Sequence, residues 1–136
     1  MGKRGQISIE YMFIIGFATI VSIPLLAIYY QYSSQSSDSV TTAQALQVAR
    51  KIADSSESVY YLGKPSQTTL KMNFPAHIII SNISGREIIF KVKTASGLTD
   101  VVQVTSMNLS GSLPTSEGIH IVTLQAQDSY VQVSSN

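Results

Sequence analysis

The segment that decides the fold is residues 3–11, Lys-Arg-Gly-Gln-Ile-Ser-Ile-Glu-Tyr, which leads into an apolar run. After the carboxylate of Glu10, no charged side chain occurs between Tyr11 and Ser37. A carboxylate placed deep within a membrane helix costs about 3 kcal/mol on insertion scales. Because that cost is high, a carboxylate at the start of such a helix indicates a function.

The apolar run is long enough to cross a membrane. About 20 apolar residues in a helix that rises about 1.5 Å per residue span the roughly 30 Å hydrocarbon core. Lys3 and Arg4 lie on the N-terminal side, which predicts that this end stays cytoplasmic and that the rest of the chain is exported. An outer aromatic belt is expected where the run ends, at Tyr29, Tyr30 and Tyr32.

An ordinary secretory signal peptide does not fit this run. Its apolar region is about 7–15 residues long and ends at a small-residue cleavage site. Here the run is longer, and the polar segment 31–39 that follows it holds no convincing site of that kind. On the N-terminal, basic side of the run, the small residue Gly5 is followed by the polar residue Gln6. A cut between them would remove the basic leader and leave the apolar helix on the product.

This arrangement resembles the class III signal peptide of archaeal type IV pilins, in which a basic leader and a small residue precede Gln-x-Ser-x-Glu-[Tyr/Phe]. The residues that carry the resemblance are Lys3, Arg4, Gly5, Gln6, Ser8, Glu10 and Tyr11. It implies that a prepilin-type membrane peptidase recognises them and cuts between Gly5 and Gln6. It also implies an α+β, type IV pilin-like fold, in which a long hydrophobic N-terminal helix packs against a C-terminal antiparallel β-sheet domain.

The same resemblance implies a set of partners and a location. The mature chain would polymerise with copies of itself into a helical filament, in which other pilins can take part. An assembly ATPase and a membrane platform protein would drive extrusion. The precursor would lie in the cytoplasmic membrane, and the product would lie in an extracellular filament at the cell surface.

Glu10 gains a physical role once the leader is removed. Cleavage would create an α-amino group on Gln6 that is cationic at neutral pH. Glu10 lies about one helical turn from that amine, and a neighbouring subunit shifted along the axis would present its own amine. Since a buried charge without its partner is strongly unfavourable, such a pair would set the register between subunits. The alternative is a glutamate that reaches water beside a plain membrane anchor.

The helix is predicted to continue past the membrane as an amphipathic extension. Apolar and small residues recur at i, i+3, i+4 and i+7, namely Ala45, Val48, Ala49, Ile52, Ser56, Val59 and Tyr60. Gly63 and Pro65 predict the end of the helix. Continuity stays open at Pro24, which removes a backbone donor and is also a candidate assembly residue, and at the serine-rich segment 31–39.

Beyond the helix, the hydrophobic period becomes that of strands, which predicts an antiparallel sheet of roughly four to six strands. The predicted strands are Thr69–Phe74, His77–Ser81, Glu87–Thr94, Asp100–Met107, Ile119–Gln125 and Tyr130–Val133, with a loop at 108–118. Alternation in the third strand places Ile88, Phe90 and Val92 on one face. In the fourth strand, Val102 and Val104 are predicted to point inward. The stripe on the helix is the expected cover for the apolar face of the sheet.

The predicted organisation therefore has four parts. Residues 1–5 form the leader, and residues 6–32 form the transmembrane and filament-core helix. Residues 33–63 extend that helix, and residues 64–136 form the extracellular β domain. About a hundred residues outside the membrane are enough for one compact domain.

Composition gives no support for catalysis, a cofactor or nucleic-acid binding. The chain has nine basic and eight acidic residues, so loss of Lys3 and Arg4 with the leader leaves a net charge of −1. That charge is not the footprint of a nucleic-acid binder. There is no cysteine. The two histidines, His77 and His120, both fall in predicted strands, and neither belongs to a cluster with metal-ligand spacing.

Two Asn-x-Ser sequons are candidate N-glycosylation sites on the exported side, with the alternative that they are unmodified turn residues. They begin at Asn82 and Asn108, which are predicted to lie in loops or at strand ends.

Three functions compete. The leading one is a structural pilin subunit of an extracellular adhesion pilus. The second is a minor pilin or pseudopilin-like component, which would share the motif and differ in its abundance in filaments. The third is a membrane-anchored surface binding protein that never polymerises and in which Gly5 and Glu10 are freely replaceable. Archaellin is a further relative to consider, but the signature from Gln6 to Tyr11 argues against it.

Overall fold

The computed structural model describes the backbone of residues 3–136 and the side chains of residues 8–136. One helix is followed by seven strands: α1 (Lys3–Leu62), β1 (Gln67–Phe74), β2 (Ile78–Ser84), β3 (Glu87–Thr94), β4 (Gly97–Val104), β5 (Asn108–Gly111), β6 (Gly118–Ala126) and β7 (Tyr130–Ser135). The chain divides into two units, Met1–Ser37 and Asp38–Asn136. The first unit consists of helix in its described residues, and the second holds the end of α1 and all seven strands.

The backbone of α1 is helical through both positions at which continuity was open, Pro24 and segment 31–39. The helix ends where the sequence predicts. Gly63 has a φ of 74°, which glycine adopts without steric cost, and its N–H donates to the carbonyl of Tyr60 at 3.1 Å.

The predicted stripe on α1 is the helical side of the core. Ala45, Ala49 and Ile52 have no exposed surface, and Ala53, which the sequence pattern missed, is also buried. These residues form one cluster with the inward-facing side chains of the strands. The α+β, pilin-like fold class is therefore confirmed, with a long N-terminal helix packed against antiparallel β-sheets.

The strands form two sheets rather than one. A four-stranded sheet has the order β1-β6-β7-β5, and a three-stranded sheet has the order β2-β3-β4. All pairs are antiparallel except β5 with β7, which run parallel. The rings of Phe74 in β1 and Phe90 in β3 meet edge to face at 6.0 Å, so aromatic packing joins the two sheets inside the core.

Strand β5 lies in the segment predicted to be a loop. It has four residues, and its last residue, Gly111, has a φ of 138°. A Cβ at Gly111 would lie 1.8 Å from the carbonyl oxygen of Val133, so β5 can approach β7 only because this residue is glycine. The length of β5 and its glycine explain why the sequence pattern did not reveal a strand.

The inward face predicted for β4 is wrong. Val101 is 5% exposed, whereas Val102 and Val104 are 46% and 61% exposed. The cause is the register with β3, which pairs Val101 with the fully buried Phe90. Residues that are opposite each other in a sheet share a face, so Val102 and Val104 lie on the outer side.

Candidate functional site

The most unusual surface of the protein is the N-terminal helical unit. Every large apolar side chain from Ile9 to Tyr32 is exposed, from 41% at Val21 to 75% at Phe13. Soluble proteins rarely expose apolar patches of more than a few hundred Å². Within its own unit this helix therefore lacks the cover that an apolar surface of this size requires.

Two hydroxyl groups within this apolar unit are satisfied by the helix itself. The hydroxyl of Thr19 donates to the carbonyl of Ile15 at 2.8 Å, and that of Ser22 donates to the carbonyl of Ala18 at 2.7 Å. In a hydrocarbon environment such internal bonds remove the cost of an unpaired hydroxyl. Among the described residues there is one helix that is long and apolar enough to cross a membrane.

The signal-like segment lies at the start of this helix. Ser8, Glu10 and Tyr11 are exposed on α1. Lys3, Arg4, Gly5 and Gln6 fall within the helical backbone, but their side chains lie outside the described residues, as does all of Met1 and Gly2.

Helical geometry determines which of these positions share a face. Positions 6 and 10 lie four residues apart on continuous helix, which corresponds to a rise of about 6 Å on one face. The carboxylate of Glu10 is therefore placed about one turn above the position at which a cut before Gln6 would create an amine.

Two carboxylates that the sequence analysis did not single out attach α1 to loops within the second unit. Asp38 Oδ2 accepts a hydrogen bond from the backbone N–H of Ala95 at 2.8 Å. Glu57 Oε1 accepts from the backbone N–H and the hydroxyl of Ser106, at 3.3 Å and 2.7 Å. Both carboxylates lie outside the apolar stripe, so periodicity alone gives no signal for them.

The two sequons lie on strands. Asn82 is exposed within β2, so the prediction of a loop or strand end is wrong for this residue. Asn108 is exposed and is the first residue of β5, as expected for a strand end.

The two histidines, His77 and His120, lie in different environments. His120 lies in β6, contacts the ring of Phe74 edge to face at 5.6 Å and bonds to the hydroxyl of Ser116 at 3.1 Å. His77 lies in the turn before β2 and is exposed with a φ of 67°, so its predicted place in a strand is wrong. Among the described side chains, no group of three or more His, Asp or Glu residues could hold a metal ion.

Comparison with known proteins identifies the N-terminal segment. Residues 3–30 match the family model of the class III signal peptide. No curated protein and no solved structure matches the chain. The match includes the Gln-x-Ser-x-Glu-Tyr spacing of Gln6 to Tyr11 and most of the exposed apolar helix.

The match suggests a type IV pilin-like substrate of prepilin peptidase. Together with the apolar helix, it is consistent with a membrane-anchored precursor. The N-terminal segment therefore matches a class III signal peptide, which is consistent with an archaeal-type pilin or prepilin-like protein.

Proposed function

We propose that the chain is a structural pilin subunit that polymerises through its N-terminal helix into an extracellular, type IV-like adhesion pilus. The observation that carries the proposal is the exposed apolar helix from Ile9 to Tyr32 directly behind a class III signal peptide. Lipid would cover this surface in the precursor. The same helices of neighbouring copies would cover it in the filament.

The first step is removal of the leader. A prepilin-type peptidase would recognise the segment from Lys3 to Tyr11 and hydrolyse the bond between Gly5 and Gln6. The product loses two cations and gains one α-amino group at the start of the helix. The apolar helix stays attached, so the mature chain remains in the membrane until it is extracted.

The second step is assembly. Glu10 of one subunit would pair with the α-amino group of Gln6 on a neighbour shifted along the filament axis. Exchanging lipid contacts for helix–helix contacts is close to neutral in hydrophobic terms, because lipid tails are as apolar as side chains. The charge pair can form at only one axial offset between neighbouring subunits, so it determines the register in which the subunits pack. Pro24 lacks an N–H, so the carbonyl one turn earlier loses its helical donor, and local adjustment at that point would accompany packing in the filament core.

Extrusion requires partners that the chain does not contain. We infer an assembly ATPase and a membrane platform protein from the class of signal peptide, with other pilins as further subunits. The second unit would lie on the outside of the filament.

The proposal is tested with the Glu10→Gln variant, which retains size and hydrogen bonding but loses the charge. Leaving the α-amino group unpaired in the filament would cost about 3 kcal/mol, so filament yield should fall by more than about tenfold. Glu117→Gln, at an exposed carboxylate in the second unit, is the matched control and should assemble normally. Filaments are measured in the sheared surface fraction, and leader removal is measured by mass spectrometry. Normal assembly of Glu10→Gln would contradict the register role.

The minor-pilin and non-polymerising alternatives differ in where the mature chain is found. A minor component would be cleaved but rare in purified filaments. A plain surface anchor would stay in the membrane and tolerate replacement of both Gly5 and Glu10.

A further inference from the structure

The outer face of the three-stranded sheet is built from three cross-strand rows. They are Ile80–Lys91–Asp100, Asn82–Ile89–Val102 and Ser84–Glu87–Val104. Neighbours within a row lie about 5 Å apart. Residues of the alternate positions, such as Ile88, Phe90 and Val101, are buried in the core, so the three rows face away from it.

This outer face exposes several large apolar side chains. Ile80 and Val102 are each 46% exposed, and Val104 is 61% exposed. Leu98, opposite Lys93 at the end of the same sheet, is 63% exposed. The ion pair between Lys91 and Asp100, at 3.9 Å, lies in the row at one border. Apolar side chains that are exposed together on one face favour contact with another group.

The sequon at Asn82 lies on this face. Asn82 occupies the middle row on β2, which is an edge strand of the sheet. Ser84, two residues later, projects from the same face, and both side chains are exposed. The sequon is therefore presented in extended backbone beside Ile89 of β3, and Val102 of β4 lies one strand further on in the same row.

We propose that Asn82 carries an N-linked glycan and that the first sugars of this glycan lie over the apolar rows of the outer face. A pyranose ring has a C–H face that packs on apolar side chains and hydroxyl groups that remain in water. A glycan attached to Asn82 lies beside Ile80 and Ile89, and it reaches Val102 and Val104 by extending across β3.

The attachment is a group transfer from a glycosyl phosphate donor. The bond between C1 of the sugar and the phosphate oxygen breaks, and the phosphate leaves with the bonding electrons. The side-chain nitrogen of Asn82 forms the new bond to C1 and loses one proton to a base of the transferase. No oxidant or reductant takes part. The inference rests on the export of the second unit that the proposed function includes, but it does not need polymerisation.

The second sequon lacks this setting. Asn108 begins β5, at the edge of the four-stranded sheet, and its partner across the strand pair is the half-buried Tyr130. Removal of this sequon therefore provides a matched control for the removal of the first.

The test uses the chain purified from the cells that produce it, with glycopeptide mass spectrometry and binding of a hydrophobic dye as readouts. The native chain should carry a glycan on Asn82. Ser84→Ala removes the sequon and should raise dye binding by at least about twofold, because the apolar rows become uncovered. Ser84→Thr keeps the sequon and should retain both the glycan and low dye binding, while Ser110→Ala should leave dye binding unchanged.

Three outcomes would overturn the inference. The first is an Asn82 without a glycan in the native chain, and the second is unchanged dye binding in Ser84→Ala. The third is a filament in which Asn82 carries no glycan and a second copy of the chain covers the outer face. Different outcomes would contradict the proposed function. A glycosylated chain that still begins at Met1 would contradict pilus assembly, whereas a mature filament with bare Asn82 would contradict only the glycan.

Discussion

Glu57 holds Ser106 by two hydrogen bonds to one carboxylate oxygen, from the backbone N–H at 3.3 Å and from the hydroxyl at 2.7 Å. About five turns earlier on α1, Asp38 accepts the N–H of Ala95 at 2.8 Å. Strand β4 runs between these two contacts. Polar bonds from the helix therefore hold the turn before β4 and the loop after it, while the apolar stripe packs on the core.

Replacing Glu57 with alanine should weaken this attachment. The change removes two hydrogen bonds to a charged acceptor, and because the site is partly open to water we expect a loss of about 1 kcal/mol in the free energy of unfolding. Urea unfolding of the full chain in detergent measures it, and hydrogen exchange should show faster opening at Ser106. Asp54→Ala, at an exposed carboxylate one turn away, is the control. Equal losses in the two variants would contradict the assigned contact.

Gly111 should be far less replaceable than a glycine of similar backbone conformation. Gly111 and Gly97 have φ values of 138° and 135°, so alanine is strained at both positions. At Gly111 the added Cβ also collides with the carbonyl of Val133, whereas at Gly97 it meets nothing within 4 Å. Gly111→Ala should destabilise the chain by at least about 2 kcal/mol more than Gly97→Ala. Similar thermal midpoints for the two variants would contradict this prediction, because they would show that β5 can move away from β7 with no loss in the free energy of unfolding.

Ser56 is a site at which stability can be gained. Its side chain has no exposed surface, and its Oγ has no hydrogen-bond partner among the described residues. A buried hydroxyl without a partner costs free energy, so Ser56→Ala should raise the free energy of unfolding by about 1 kcal/mol. Ser58→Ala is the control, since the Ser58 hydroxyl is exposed and donates to the carbonyl of Asp54. A loss of stability in Ser56→Ala would show that the hydroxyl is satisfied.

Substitution of Gly16 tests packing between subunits without affecting the fold of the single chain. A Cβ at Gly16 would meet nothing within 4 Å, so the chain itself gives no reason for glycine there. Gly16→Leu should leave folding of the second unit unchanged and favour helix at that position. If neighbouring helices approach closely at Gly16, the larger side chain should lower filament yield by about tenfold. Gly16→Ala should give an intermediate yield, and unchanged filaments in Gly16→Leu would exclude close packing there.

The elements with a strong period were predictable from the sequence. The stripe from Ala45 to Val59 and the alternation at Ile88, Phe90 and Val92 each place apolar residues on one face, and the structure confirms both. The class III signal could be recognised because its residue types occur at fixed spacing.

Features that depend on contacts between distant segments were not predictable. The face of β4 follows from its register with β3, and both faces of that strand carry valines, so its own pattern was ambiguous. The parallel pairing of β5 depends on a glycine that meets a carbonyl of β7. The bonds of Asp38 and Glu57 to distant loops likewise need the folded chain.

The central claim is that leader removal turns a membrane precursor into a filament subunit. The most direct measurement is N-terminal sequencing of the protein in sheared surface filaments, together with imaging of those filaments. The account predicts an abundant filament whose subunit begins at Gln6. Recovery of the chain only in the membrane fraction, beginning at Met1, would contradict it.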